Sequence, residues 1–217
     1  MASLPLALAL LLVLTMGGWM AVTWKGGSAK GSQVSIALTA DCDLREPVLA
    51  RALGVGFGQP QVSYAEGVTR LQGRMPGLGD DTTAMPALLS KPGRLRVLPA
   101  DSAEGPPTGA EVATEVDLTN AWLQIGMSGH PYVQLEFQPN VLARIQEADA
   151  SSWLFELDGE IVDYFDADRD PDDDDLRLQP RLEATRDELR LATDWSIVLQ
   201  DPLPCAVRNV AVTEQGG

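Results

Sequence analysis

Apolar and polar residues alternate in QVSIALT (33–39), which predicts a β-strand with one buried face. In CDLREPVLARALGVGF (42–57) the spacing becomes that of a short helix. Asp43 sits near its start, Pro47 is tolerated in the first turn, and Gly54 ends it. QVSYAEGVTRLQGRMPG (61–77) reads as two strands turning at Glu66-Gly67. DDTTAMPALLSKPG (80–93) predicts a second helix closed by Pro92-Gly93, and RLRVLP (94–99) a further strand.

The stretch DSAEGPPTGAEVAT (101–114) is a loop by composition and marks a subdomain boundary. VDLTNAWLQIG (116–126) follows as a strand. In PYVQLEFQP, Val133, Leu135 and Phe137 share one face, the mark of a half-buried strand. NVLARIQEADA (140–150) predicts a helix with Val141, Leu142, Ile145 and Ala148 on one stripe. SWLFELDGEIVDYF (152–165) is a hairpin turning at Asp158-Gly159. After a break at 166–180, Thr185 and Glu188 have capping-box spacing and open a helix carrying Leu189, Ala192, Trp195 and Val198. Pro202 and Pro204 stop it, and CAVRNVAVT (205–213) is a last strand.

The order βαββαβ, then ββαββ, then αβ predicts an α+β fold. A ferredoxin-like βαββαβ base spans 33–100, and a small ββαββ head is inserted at 101–180 with an acidic loop at 163–175. A return helix and strand occupy 181–213.

Residues 1–24 carry no charge, and Leu4 to Trp24 as a helix reach about 31 Å, enough to span a bilayer core. They predict one transmembrane anchor or uncleaved signal, with a cleaved signal peptide as the rival. KGGSAKGS (25–32) is a flexible tether. Lys25 and Lys30 alone would hold the C-terminal part inside. The net charge of −15 argues instead for an exported domain that avoids nucleic acid and anionic lipid. The expectation is a single-pass inner-membrane protein with its soluble part in the periplasm.

The two cysteines, Cys42 and Cys205, suit one disulfide in such a compartment, whereas zinc needs four good ligands and His130 is the one histidine. If the return segment supplies the last base strand, that strand is the antiparallel neighbour of the first and the cysteines come within bridging reach. If strand 94–99 completes the sheet instead, both thiols stay free.

Candidate chemistry is sparse. Asp166, Asp168 and Asp170 imitate the opening of a calcium loop, but Pro171 and Arg177 stand where glycine and a bidentate glutamate belong. They read as a solvated, self-repelling loop and only weakly as metal ligands. GVGFG (54–58) lacks dinucleotide spacing, and MSGH (127–130) lacks a nucleophile elbow. Of Glu156, Asp158, Glu160 and Asp163, the turn needs Asp158 and the others alternate outward, so no glycosidase pair forms. No catalytic residue and no cofactor are expected.

Several segments resemble, in order, the first periplasmic domain of SecD, an accessory subunit of the bacterial Sec export channel. QPQVSYAEGVTRLQGRMPGLGD (59–80) keeps that family's Arg70, Pro76, Gly77 and Asp80. LLSKPGRLRV (88–97), LTNAWLQIGMSGHPYVQLEF (118–137), LFELDGEIV (154–162) and LQDPLPCAV (199–207) follow the same pattern. The resemblance differs in a shorter region at 99–115, the Asp-rich loop, the cysteines, and the lack of SecD's later membrane helices. It implies a stand-alone, non-enzymatic domain that binds translocating polypeptide or docks on an export complex. Its partners would be polypeptide or export subunits and, through residues 1–24, the membrane, with no nucleic acid. The alternative is a divergent envelope module, structural or cation-dependent, unrelated to export.

Overall fold

The computed structural model describes residues 32–75, 84–148, 150–166, 176–180 and 185–215. The predicted anchor at 1–24, the tether up to residue 31, Asp168, Asp170 and the side chain of Asp166 lie outside that description. Residues 31–217 form one compact unit.

Strand β1 (Gln33–Ala40) buries Val34, Ile36, Leu38 and Ala40 and half-exposes the residues between, as its alternation requires. It lies antiparallel between β3 (Val68–Arg74) and β11 (Val207–Gln215), with β2 (Gly58–Ala65) beyond β3. The order β11-β1-β3-β2 is that of a split βαββαβ unit. Glu66 and Gly67 both have positive φ (53° and 76°), so the β2–β3 link is a tight two-residue turn matching strand twist.

Helices α1 (Arg45–Gly54) and α2 (Ala84–Ser90) supply Val48, Ala52, Met85 and Leu89 to the core under this sheet, against Ile36, Leu38 and Leu71. Full burial of a side chain such as Ile36 contributes about 1.5–3 kcal/mol. On the other face of the sheet the described side chains are half-exposed or exposed.

The second half holds two further antiparallel sheets. One joins β5 (Ala113–Thr114), β4 (Leu95–Ala100), β8 (Ser152–Leu157) and β9 (Glu160–Asp166) in that order. The other joins β10 (Arg177–Leu178), β7 (Pro131–Phe137) and β6 (Leu118–Ile125). Helix α3 (Pro139–Glu147) adds Val141 and Ile145 to their shared core, and α4 (Thr185–Gln200) lays Ala192, Trp195 and Val198 over β6 and β7.

The molecule is therefore a mixed α and β protein built on antiparallel sheets, but its strands divide differently from the expectation. Strand 94–99, assigned to the base at 33–100, pairs with β8 from Leu95↔Leu157 to Ala100↔Ser152. The reason is burial on both faces: Leu95 and Val97 face the larger core, while Leu98 and Ala100 pack on Leu154 behind it. Such a strand belongs inside a sheet, so β11 closes the base. The four predicted head strands likewise fall into two sheets. Asp163, assigned to the acidic loop, lies in β9 and is buried. Among the described residues no helix is long and apolar enough to cross a membrane.

Candidate functional site

Cys42 leaves β1 toward α1, and Cys205 enters β11. Antiparallel pairing of β1 and β11 brings the end of one beside the start of the other, and the two residues are joined by a disulfide with Cα atoms 6.2 Å apart. Among the described residues no cysteine is free. Asp41 and Arg208 form an ion pair beside it.

A second tie crosses the molecule at Arg51. This side chain is fully buried, on the same α1 stripe as Val48 and Ala52. It donates to the carbonyls of Leu88 (3.1 Å) and Lys91 at the end of α2, and to Val198 (3.3 Å) and Asp201 (2.9 Å) at the end of α4. One guanidinium thus satisfies two helix C-termini, whose last carbonyls have no helical partner and carry partial negative charge. Burial pulls its pKa down to about 10, while Asp201 and Asp158 pull it back up. Gly93, with φ of 75°, passes so close that a Cβ there would strike the Val198 carbonyl. The sequence signal for this tie was a lone charge on an apolar helical stripe.

The carboxylates weighed as an acid–base pair do other work. Asp158 Oδ1 accepts from the Arg94 N–H at 2.8 Å, holding the β8–β9 turn against β4. Asp163 accepts from the backbone of Tyr164 and, at 2.7 Å, from that of Gln179 beside β10. Glu156 pairs with Arg96 at 3.0 Å. His130 Nδ1 lies 2.8 Å from Glu188 Oε2, so the hairpin that holds Ser128 is fastened to the first turn of α4. Among the described residues no three His, Cys, Asp or Glu side chains converge to hold a metal.

What the fold leaves available is sheet. The edge of β9 is approached by the segment at Gln179. That of β2 is interrupted by Pro60, which has no N–H, and by a register shift between Gly58 and Gln61. Strand β11 has nine residues, no proline, and unbroken register with β1 from Gln215 to Asn209. Its outer edge is a row of main-chain groups suited to pairing with another extended chain. At one corner of the same sheet a cleft of about 100 Å³ is lined by Gln33, Gln61, Gln72 and Arg74 together with Gly58 and Gly73.

No protein-family model and no curated protein matches the chain. Solved structures do, among them two of SecDF. One is SecDF in a super-membrane-facing form, with a TM-score of 0.62 and 17% identity over 95% of this chain and 34% of that one. The other, a SecDF described as a membrane component that enhances protein export, has a TM-score of 0.58 and 18% identity. It covers 81% of this chain and 98% of its own. The fold is SecD-like. The chain spans about a third of the first neighbour's length, and at these identities the likeness is one of fold.

Proposed function

We propose that this protein is a non-enzymatic component of protein export, anchored in the membrane by residues 1–24, that binds extended polypeptide on the far side of the membrane. The observation that carries this reading is the regular outer edge of β11, which pairs with no other strand among the described residues, on a fold like that of a SecDF described as enhancing protein export. Main-chain pairing along an edge takes an extended chain with little regard to sequence, which suits a client that has not yet folded. The Cys42–Cys205 disulfide supports an oxidising compartment for the domain. The open sheet and its ferredoxin-like strand order support a docking module over an enclosed catalytic pocket.

The test is site-specific photocrosslinking in native membranes. A photoreactive residue at Thr213 on β11 is expected to crosslink to an export intermediate arrested in the channel, and one at Leu53 on the outer side of α1 is not. Absence of any client crosslink from Thr213 while export proceeds would overturn the reading.

A further inference from the structure

Strand β3 presents Arg70, Gln72 and Arg74 on the open face of the base sheet, alternating with buried Thr69, Leu71 and Gly73. The two arginines are exposed and stand about 13 Å apart along the strand. Among the described residues, neither side chain makes an ion pair, a hydrogen bond or a ring contact. Every other arginine with a described side chain has a partner, as Arg45 has Asp43, Arg96 has Glu111 and Glu156, and Arg144 has Asp117.

The neighbours sharpen the contrast. Residues directly opposite in an antiparallel pair share a face, so Ser63 and Ala37 flank Arg70, while Gln61 and Ser35 flank Gln72. No Asp or Glu occupies the strand positions on this face among the described residues, although the whole chain carries 31 acidic residues. Two unpaired guanidiniums on an otherwise neutral amide and hydroxyl surface are complementary to carboxylates and to main-chain amides.

The geometry points to this face as the seat of an extended acidic segment of polypeptide, with carboxylates at positions i and i+4 meeting Arg70 and Arg74. An extended chain places those two side chains on one side about 13 Å apart, matching the arginines. The amide of Gln72, with those of Gln61 and Gln33 at the cleft, serves the peptide groups between. Nucleic acid and anionic bilayers are poorer occupants, because their long runs of charge need many more cations than the two this face offers. The inference rests on the polypeptide-binding reading and specifies which segments the open face selects.

The test uses the full-length protein and labelled twelve-residue Ser/Thr peptides read by fluorescence anisotropy. One carries Glu at i and i+4, one carries the same two Glu side by side, one carries Lys at i and i+4, and one carries no charge. The i, i+4 acidic peptide is expected to bind tightest and to weaken about tenfold in Arg70→Gln/Arg74→Gln, with the melting temperature unchanged. Equal binding of the neutral or Lys peptide, or indifference to the double variant, would overturn the inference and leave polypeptide binding standing. Competition by anionic vesicles or single-stranded nucleic acid as strong as by the acidic peptide would overturn the choice of occupant. Failure of every peptide alongside client crosslinks from Thr213 would remove the acidic face alone, and failure of both experiments would remove both readings.

Discussion

The Cα atoms of Cys42 and Cys205 lie 6.2 Å apart although 163 positions separate them in sequence. The bond between them closes those 163 positions into one loop, fastening the last base strand to the first. On the chain-entropy account such closure stabilises by up to about 5 kcal/mol. Cys42→Ser/Cys205→Ser is therefore expected to lower the urea midpoint, and the unreduced wild-type protein to show no reactive thiol when unfolded. Two titratable thiols would contradict the bridge.

Arg51 is the corresponding tie between helices. Arg51→Met keeps much of the packing but strands the carbonyls of Leu88, Val198 and Asp201 without their donor. A loss of about 3–5 kcal/mol is expected, of the order seen when one partner of a buried charged network is removed. Gly93→Ala acts on the same junction through strain, since φ is 75° and the Val198 carbonyl blocks a Cβ. Chemical denaturation of both variants checks this: a drop under about 1 kcal/mol for Arg51→Met would mean that water replaces the guanidinium without penalty.

Local pattern carried most of the element boundaries. Strand alternation placed β1, β3 and β7, and the pairs Glu66-Gly67 and Asp158-Gly159 both proved to be two-residue turns with positive φ. What local pattern could not carry was pairing. RLRVLP alternates no less well for the base than for the head, and only the two cores that meet at β4 decide between them. The candidate surface was hidden for a similar reason. Arg70 and Arg74 look ordinary in sequence, and their lack of partners emerges only once the other arginines have found theirs.

Asp158 separates hydrogen bonding from charge. One of its carboxylate oxygens accepts from the Arg94 N–H, while Oδ2 is buried without a partner among the described residues. Its φ of 54° suits Asp or Asn. Asp158→Asn retains the acceptor and places an amide where the unpaired oxygen was, so stability within about 1 kcal/mol of wild type is expected. Asp158→Ala loses the acceptor and strains the turn, at a cost of about 1–3 kcal/mol. Thermal melts of the two variants side by side check the ordering, which a larger loss in the Asn variant would reverse.

The last prediction concerns acid. Burial raises the pKa of Asp194 on α4 against the pull of Lys91 and Arg190, and raises that of Asp201 against the pull of Arg51. A raised folded pKa means that the folded state holds a proton the unfolded chain has released. The stability this gives is fully present below the unfolded value near 3.8 and is lost as pH rises through the folded value. The protein is thus expected to melt higher a little above that value than near neutrality. Easing of its −15 self-repulsion works in the same direction, so the wild-type trend alone does not assign the effect. Asp194→Asn does, because its side chain is neutral at every pH. The variant is expected to exceed wild type near neutrality and to converge with it as pH falls toward about 4, since protonated aspartate and asparagine then carry the same charge. Melting curves across that range decide it: a variant running parallel to wild type would show that Asp194 ionises as freely folded as unfolded.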